Sequence, residues 1–600
     1  MVSVLQNEKG HAYNELSEEL CKRRPNLFKV ADICFKDSSL INSELRPRLY
    51  CSLLRLEKSR IQQSSDLLLK KQLLTAEKDL ENQRIICADC KRTNSTDIYF
   101  KLDTTRQLME NILTYYCKRR SIKYMQGLNF VLAPFLKMLD NADDKKHDVI
   151  GPGAIFELYY AFVNKVLPNI YVDENFKSLQ HSFKVFRLLL LYHDPQVCMV
   201  LDQNDIVPEL YATPWFVTCF SRDLPLEALY ILWDHYLLQL VTDQFPYQHY
   251  FVCVAILILK RDTILACDRS ELPSVTSSLL NSRTSDNGVA KQSDSAVNQK
   301  NALAIDFVKD VVKLAQKLRK SSPQTFLKII YEVSFAPDIG AKKDSHKHLN
   351  ALKFVYKIAE ADLTNGSLPS NHSVMIDTSM NILQMALEQV LILPIQPIEI
   401  VQFLHKNSST SNNNDVKSKK ANLDLFILDC RDQHAFDKSH FAQSFNLRPG
   451  LLDGPDMEQL ESVMQSFKCM DGEKHFVFLS SPNDTLVVTK FVLLFLQKGF
   501  RYLSVCLEGY DQCKMMLIRN GQTDNGLIIS SPPRESVATS SSGSLENVFD
   551  EDVANKLFGR KATSIFKNAL TFVQNKVSSN SESSAGKAGA DDDKEILECV

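Results

Sequence analysis

The sequence predicts a multidomain chain: an all-α domain, then a small α/β domain and a largely disordered C-terminal tail. Three observations support this fold class. From about residue 27 to 264, apolar residues recur at the three- and four-residue spacing of amphipathic helices. From about residue 423 to 520, short apolar runs of strand length alternate with helical segments. Beyond about residue 521 the chain becomes polar and rich in serine.

Composition narrows the class of protein. Six hundred residues are too many for one hydrophobic core, so we expect two to four domains. An apolar content of 44% and a charged content of 24% are ordinary for a soluble globular protein. The net charge of −2 gives no global attraction to nucleic acid, so no nucleic-acid partner is expected. The N-terminal region lacks a secretory apolar stretch, and the run 251–259 is too short to cross a bilayer, so we expect a cytoplasmic protein.

The fifteen cysteines indicate neither a metal site nor a redox motif. Most lie within apolar runs, which is typical of reduced, buried thiols. Cys87 and Cys90 form one CxxC, but no second CxxC or nearby CxxH completes a zinc site. We therefore expect no metal and no cofactor.

Three segments define the helical part: RQLMENILTYYCKRR, KSLQHSFKVFRLLLLYH and LPLEALYILWDHYLLQL. Residues 274–300 are rich in Ser, Asn, Asp and Gln, which predicts a flexible loop. ALAIDFVKDVVKLAQKLRK and residues 380–390 predict further helices.

The α/β part follows a polar spacer at 406–422. Its strands are predicted in LDLFILDC, FNLRP, KHFVFLS and YLSVCL, and LVVTKFVLLFLQKGF is a helix that ends at Gly499. This alternation is typical of a small parallel sheet covered by helices.

Four motifs follow one another in the helical part. Ile86, Asp89, Arg92 and Thr93 form IxxDxxRT, and Tyr124, Gln126 and Gly127 form YxQG. A Pro-Trp segment, YATPWFVTCFSRDLP, and a WD dipeptide in ALYILWDHYL come next. In this order and at these separations the motifs resemble those of the TBC domain, the Rab GTPase-activating fold.

The resemblance implies that Arg92 is an arginine finger, that Gln126 is a glutamine finger and that a Rab GTPase is the partner. An arginine supplied in trans neutralises charge on the transferring phosphoryl group, worth roughly 10³ to 10⁵ in rate. A carboxamide both accepts from and donates to the attacking water. Asp89 is expected to brace Arg92 through a bidentate pair, and Tyr124 and Gly127 to shape the backbone that presents Gln126.

Other residues of the same motifs have a simpler interpretation. Trp215 and Trp233 are expected in the core, since large aromatic side chains bury well. Arg46 and Arg48 in LRPRLY fit the charged beginning of the fold's first helices and fit structural ion pairs equally well. Arginine and glutamine on a helical protein are usually solvated surface residues, and only the four ordered motifs favour the finger positions.

LFILDCRDQHAFDKSHFAQSFNL resembles the opening of a rhodanese domain, with Asp429, Arg431, Phe436 and His440 at matching positions. We expect Asp429 and Arg431 to form an ion pair that holds the fold. Cys430, beside a strand end, is expected to be structural.

A catalytic rhodanese carries a cysteine after a later strand, in a loop whose N–H groups stabilise the persulfide. Here that loop reads KHFVFLSSPNDT and offers Ser480 or Ser481 instead. A serine cannot carry a persulfide, so we expect an inactive rhodanese-like domain without sulfurtransferase activity.

A TBC block followed by a rhodanese-like block resembles a family of adaptors at the trans-Golgi network. Members of that family join golgin tethers to endosome-derived vesicles, and a C-terminal domain of pleckstrin-homology type binds the WASH complex. The resemblance implies an adaptor in endosome-to-trans-Golgi vesicle trafficking, peripheral at that membrane and at the vesicles. Its vertebrate members lack the fingers, whereas this chain keeps both, and we expect no C-terminal domain of that type here.

Two alternatives stay beside the adaptor. The retained Arg92 and Gln126 favour a catalytically active Rab GTPase-activating protein. The TBC-containing pseudokinase family offers a similar module, but no kinase-like segment precedes residue 27, so this alternative is the weaker one.

One further segment joins basic and apolar side chains in DVANKLFGRKATSIFKNALTFVQNKV. Such a helix lies on an anionic membrane or in a partner's groove, and packing back on the body is an equal alternative. Its serine-rich leader predicts a phosphorylatable tether.

The predicted organisation is an N-terminal lead (1–26), TBC domain (27–270), flexible loop (271–300), helical connector (301–405), linker (406–422), rhodanese-like domain (423–520), Ser-rich linker (521–550), basic amphipathic helix (551–577) and disordered tail (578–600).

Overall fold

A computed structural model describes residues 2–56, 63–140, 151–167, 170–171, 176–242, 248–280, 294–334, 392–408, 423–452, 457–479, 481, 485–506, 508–519 and 528–530. The chain divides into two compact units, a helical unit up to Gln396 and an α/β unit from Pro397. Residues 380–390 and the predicted 551–577 helix and tail lie outside the described residues.

The helical unit contains α1 (Val2–Cys21), α2 (Leu27–Lys36), α3 (Arg46–Leu53), α4 (Gln63–Leu74), α5 (Gln83–Arg92), α6 (Ile98–Lys101), α7 (Asp103–Arg120), α8 (Leu128–Asp140), α9 (Pro152–Val166), α10 (Lys177–His193), α11 (Pro195–Gln203), α12 (Pro208–Tyr211), α13 (Thr213–Thr218), α14 (Leu226–Thr242), α15 (Gln248–Leu259), α16 (Arg261–Leu265), α17 (Leu272–Ser278), α18 (Asp294–Lys320), α19 (Gln324–Ser334) and a short strand, β1 (Leu393–Ile395). A 3₁₀ turn, Ser38–Leu40, lies between α2 and α3.

The core of the helical unit is built around an aromatic cluster. The Trp233 ring lies 4.4 Å from the Phe162 ring and 5.3 Å from the Phe135 ring, measured between centroids. Its indole N–H donates a 3.1 Å hydrogen bond to the Cys219 carbonyl, so the buried ring has no unsatisfied donor. Trp215 is buried as well, which confirms the prediction that both tryptophans belong to the core.

A buried ion pair ties the start of the TBC-like region to its WD motif. Arg46 Nε donates to Asp234 Oδ1 and Oδ2 at 3.1 and 3.3 Å, and the Tyr50 hydroxyl donates to Asp234 Oδ1 at 2.7 Å. Two interpretations of Arg46 were open, the charged beginning of the first helices and a structural ion pair. The structure shows the ion pair. Removing either charge would leave the other buried and unpaired.

The predicted connector at 301–405 is not a separate element. Val308, Val311, Ala315 and Leu318 are buried on one face of α18, and this helix packs on α14 and α15. α19 contacts α10 and β1. Two helices of the predicted connector therefore complete the helical unit, and residues 397–405 begin the second unit.

The predicted flexible loop at 271–300 also differs from the structure. α17 occupies Leu272–Ser278, and α18 already begins at Asp294. Pro273 suits the first turn of α17, and Thr276 donates its hydroxyl hydrogen to the Leu272 carbonyl at 2.9 Å. Because the serine and threonine side chains bond back to their own helix, a loop-like composition is compatible with a helix.

The α/β unit contains α20 (Pro397–Ser408), β2 (Leu425–Asp429), α21 (Gln433–Lys438), β3 (Ser439–Phe441), β4 (Ser444–Asn446), α22 (Met457–Phe467), β5 (His475–Leu479), α23 (Thr485–Gln497), β6 (Leu503–Cys506), α24 (Gly509–Arg519) and β7 (Ile528–Ser530). The 3₁₀ turns Pro449–Leu452 and Lys468–Met470 precede and follow α22.

Four strands of this unit pair in the order β6–β5–β2–β4, and every neighbouring pair is parallel. Ile427 lies opposite Val477 on one side and Ser444 on the other. β2 and β5 are buried throughout, as expected for parallel strands covered on both faces. β3 and β7 form a separate antiparallel pair. The predicted all-α domain followed by a small α/β domain is confirmed.

In the described ranges no helix combines the length and apolarity needed to span a membrane. Among the same residues, no three His, Cys, Asp or Glu side chains are placed to hold a metal ion.

Candidate functional site

Arg92 is the last residue of α5. Its side chain is 59% exposed, whereas that of Asp89, one turn earlier, is 1% exposed. Arg92 Nη2 forms an ion pair with Asp89 Oδ1. The helix therefore buries the carboxylate and leaves the guanidinium at the surface.

The Asp89 carboxylate is shared between two partners. Its second oxygen, Oδ2, accepts a 2.8 Å hydrogen bond from the Tyr124 hydroxyl. Burial raises the pKa of Tyr124 above its usual value and the Asp89 charge raises it further, so the hydroxyl keeps its proton and donates. Asp89 thus contacts Arg92 through one carboxylate oxygen and Tyr124 through the other, and the expected bidentate geometry of the pair with Arg92 stays a prediction.

Gln126 lies in the turn that precedes α8, and its side chain is exposed. The next residue, Gly127, has φ +117° and is buried. A Cβ at Gly127 would collide with the Val217 side chain and lie 2.9 Å from the Val217 carbonyl oxygen. Val217 belongs to α13, the Pro-Trp segment, so the YxQG turn requires glycine in order to pack against the third motif.

Asn129 connects the turn to the end of α5. Its Oδ1 accepts a 3.1 Å hydrogen bond from the Gly127 backbone N–H and lies 3.1 Å from the Tyr124 hydroxyl. Its Nδ2 donates to Thr93 Oγ1 at 2.7 Å, and the Thr93 hydroxyl in turn donates to the Asp89 carbonyl at 2.6 Å. All these polar side chains are buried.

The start of α5 is attached to the same turn. Asn82, directly before the helix, donates from Nδ2 to the Tyr124 carbonyl at 2.7 Å. Both ends of α5 are therefore bonded to residues of the YxQG turn. The four sequence motifs include neither Asn129 nor Asn82, so the sequence analysis missed both. The signal available in the sequence was a polar residue, Asn129, in the first turn of an otherwise apolar helix.

A groove of about 360 Å³ opens beside Arg92. Its lining includes Arg92, Asp97, Phe130, Lys137, Ser221 and Arg222. The Lys137 ammonium is paired with Asp97 at 2.9 Å and Asp140 at 2.8 Å. Within the described ranges Arg222 has no ion-pair partner, so this side chain adds uncompensated positive charge to the groove.

In the α/β unit, Asp429 and Arg431 form the predicted ion pair. Arg431 Nη2 donates to Asp429 Oδ2 at 2.6 Å and to the Ser439 carbonyl at 2.8 Å. The Arg431 guanidinium also lies 3.5 Å from the centroid of the Tyr510 ring. Cys430 is buried between the two charged residues. The pair holds the strand end and leaves neither charge exposed.

The loop after β5 begins at the position where a rhodanese carries its cysteine. Ser480 lies outside the described residues, and Ser481 is partly buried. The rings of Phe436 and His440 are stacked with centroids 4.0 Å apart, and His440 Nδ1 lies 2.9 Å from the Phe436 carbonyl. No cysteine occurs in the sequence between Cys469 and Cys506.

Comparisons with known proteins identify both units. Residues 43–265 match the Rab-GTPase-TBC domain, and residues 412–515 match the rhodanese-like domain. A TBC domain-containing protein kinase-like protein of Dictyostelium discoideum is 35% identical over 142 residues, 24% of this chain and 12% of that protein. The Homo sapiens protein of the same name is 32% identical over 145 residues, 24% of this chain and 14% of its own.

TBC1 domain family member 17 of Homo sapiens is 26% identical over 184 residues, 30% of this chain and 26% of that protein. The chain thus matches only a small part of the length of these relatives. Relatives with kinase-like names match this chain, so the alternative of the TBC-containing pseudokinase family stays open.

Two solved structures resemble the helical region. The Ypt/Rab-GAP domain of Gyp1p has a TM-score of 0.41 and 15% identity, covering 52% of this chain and 99% of that one. The Chlamydomonas flagellar RabGAP TBC domain has a TM-score of 0.34 and 17% identity, covering 52% and 94%. The matches to the two family models show that this chain contains a helical Rab-GTPase-TBC domain and a rhodanese-like domain.

Proposed function

We propose that this protein is a Rab GTPase-activating protein in which Arg92 and Gln126 act on GTP bound to the partner. One observation supports this above others. Both side chains are exposed, while the residues that hold them are buried in one hydrogen-bonded network. A solvated surface pair would have no need of such buried polar support, which is costly unless every partner is present.

The chemistry fits the residue types. A guanidinium is a planar cation, so Arg92 can neutralise the negative charge on the transferring phosphoryl group. Asp89 orients that guanidinium from the buried side and does not enclose it, since the Arg92 side chain stays 59% exposed. Gln126 can hold the attacking water, because its amide accepts and donates at once.

The groove beside Arg92 supports the same proposal. Phe130 offers apolar contact area and Arg222 offers positive charge next to the candidate arginine finger. A GTPase surface with an acidic group near its nucleotide would find a complementary charge there.

A second function, vesicle adaptor, is favoured by the rhodanese-like domain. Its Asp–Arg pair is intact, yet the loop after β5 offers serine where sulfur transfer needs cysteine. A domain that keeps its fold without its nucleophile suits binding rather than catalysis. We therefore propose, as in TBC domain family member 23, a role at the trans-Golgi network with golgin tethers and endosome-derived vesicles as partners. In this role the segment 551–577 would contact the membrane.

Single-turnover GTP hydrolysis by a panel of Rab GTPases tests the first function. The full chain should accelerate at least one Rab by roughly 10³-fold or more, and Arg92→Ala or Gln126→Ala should each abolish the effect. Arg84→Ala and Gln107→Ala, exposed positions on α5 and α7, serve as matched controls and should leave the rate unchanged.

The contrary result is equally clear. If no Rab responds and all five proteins behave alike, the activator proposal is wrong. Golgin and vesicle pull-downs with the same proteins would then test the adaptor role directly.

A further inference from the structure

We infer that Asn129 is the positioning residue that fixes Arg92 and Gln126 relative to each other; this inference rests on the proposed function. The carboxamide of Asn129 contacts both arms of the site, one through each of its polar atoms. No other side chain in the described ranges makes hydrogen bonds to both the Gly127 backbone and Thr93.

The oxygen of Asn129 controls the glutamine arm. Asn129 Oδ1 accepts the Gly127 N–H at 3.1 Å, and Gly127 directly follows Gln126. Gly127 has φ +117°, a conformation that is open to glycine, and the bond to Asn129 holds the turn in it. The bond therefore fixes the direction in which the preceding residue leaves the turn.

The nitrogen of Asn129 controls the arginine arm. Asn129 Nδ2 donates to Thr93 Oγ1 at 2.7 Å, and Thr93 directly follows Arg92. The Thr93 hydroxyl in turn donates a 2.6 Å hydrogen bond to the Asp89 carbonyl, which closes the last turn of α5. The end of α5 is thus held at a set distance from the turn.

Asparagine suits this position for a chemical reason. One planar group must accept a hydrogen bond from the Gly127 N–H and donate another to Thr93. An aspartate has no donor for the second bond, and a serine side chain is too short to reach both partners. Asn129 is fully buried, and its neighbours Val131 and Leu132 in α8 are too. The core therefore sets where the carboxamide lies, and the carboxamide sets where both arms lie.

The consequence is a positioning effect on catalysis. Without the carboxamide the Tyr124–Asp89 and Asn82–Tyr124 bonds still join the two arms, but the link from the Gly127 N–H to Thr93 is lost, so their separation is held less tightly. A misplacement of about 1 Å can cost 10²-fold in rate without changing the groups that react. Ground-state docking of the GTPase depends on the surface rather than on this separation, so it should change little.

Asn129→Ala and Thr93→Val separate the two arms. Asn129→Ala removes both bonds, whereas Thr93→Val removes the hydroxyl of the arginine arm and preserves most of the side-chain volume. Asn111→Ala is the matched control, because Asn111 is also a buried asparagine, on α7. Circular dichroism and thermal unfolding establish that each variant is folded.

The experiment measures two affinities of the full chain for a Rab that it accelerates. One form of the Rab carries a non-hydrolysable GTP analogue, and the other carries GDP with aluminium fluoride, which mimics the transition state. Asn129→Ala should weaken binding of the second form about 10²-fold and leave binding of the first unchanged. Thr93→Val should act in the same direction with a smaller loss, and Asn111→Ala should change neither affinity.

A purely structural role would move both affinities together, and that result would overturn the inference. If Asn129→Ala does not fold, Thr93→Val decides the question. Wild-type affinities for both forms of the Rab in that variant would also overturn the inference. If the wild type distinguishes no two forms of any Rab, the proposed function itself fails and takes the inference with it. The wild-type affinities therefore separate the two failures: a wild type that prefers the aluminium fluoride form leaves the proposed function standing, whereas one without that preference does not.

Discussion

The Tyr124 hydroxyl donates a 2.8 Å hydrogen bond to Asp89, although the two residues lie 35 positions apart in the sequence. The bond joins the motif that carries Arg92 to the motif that carries Gln126. Asp89 is thereby held on two sides, by Tyr124 through one oxygen and by Arg92 through the other.

Tyr124→Phe should destabilise the protein, because Asp89 Oδ2 would stay buried without its donor. A buried polar atom that loses its partner costs about 1–3 kcal/mol of unfolding free energy. Urea unfolding followed by circular dichroism measures this loss. Tyr13→Phe is the control, since the Tyr13 hydroxyl makes two long, exposed hydrogen bonds of 3.4 Å, one to Glu44 and one from Asn42. Equal unfolding free energies for the two variants would contradict the role given to this bond.

Gly127→Ala should both destabilise the helical unit and lower any GTPase acceleration. The added methyl group meets Val217 at a φ of +117°, and strain of this kind costs about 1–3 kcal/mol. Gly10→Ala provides the comparison, because Gly10 lies in α1 with open space where the methyl group of an alanine would lie, and should tolerate the change. Urea midpoints for both variants check this; a Gly127→Ala midpoint as high as that of Gly10→Ala would show that the turn can relax.

Arg222→Glu should slow association with the GTPase. The side chain lines the groove beside Arg92, and reversing its charge would replace attraction to an acidic group by repulsion. Association rates by stopped flow at two ionic strengths measure the effect, which should shrink at high salt. Lys317→Glu, an exposed position on α18 away from the groove lining, should behave as wild type. A salt-independent loss in both variants would argue against electrostatic docking here.

Acid should destabilise the helical unit through its buried histidines. Burial lowers the pKa of His249 to about 3 and that of His235 to about 4, from an ordinary value of 6.5. Below about pH 6.5 the unfolded chain therefore binds more protons than the folded chain. The stability present above that pH is lost as the pH falls toward the folded-state values.

His249→Phe tests this histidine contribution. The ring lies between those of Phe216 and Phe220, with centroids 4.6 and 5.2 Å away, so phenylalanine should pack there. Between about pH 4 and 6.5, the variant's unfolding free energy should fall less steeply than the wild type's, by about 1.4 kcal/mol per pH unit. Parallel curves for the two proteins would show that His249 does not titrate on unfolding.

The sequence predicted those features that depend on local pattern. The buried strands in LFILD and HFVFL and the order of the four motifs were visible without a structure. The contacts of Asn129 were not, because its partner Thr93 lies 36 residues away and the carboxamide lies in a helix that reads as apolar. The hydrogen bond from Tyr124 to Asp89 was unpredictable for the same reason, since Tyr124 belongs to another motif.

Two segments were misplaced for a different reason. The apolar face of α18 is apparent in the sequence, but the sequence does not say that α14 and α15 cover it. In α17, serine and threonine composition suggested a loop, whereas the hydroxyls are satisfied within the helix. The partner of the apolar face of α18 is decided by tertiary packing. The partners of the α17 hydroxyls are decided by the helix itself.

In the function proposed for this protein, Arg92 and Gln126 stabilise the transition state of GTP hydrolysis on a Rab. The most direct measurement is the affinity of the full chain for that Rab loaded with GDP alone and with GDP plus aluminium fluoride. The second form should bind about 10²-fold tighter or more, and Arg92→Ala or Gln126→Ala should remove this preference while Arg84→Ala keeps it. Equal affinity for both forms in the wild type and all three variants would contradict it.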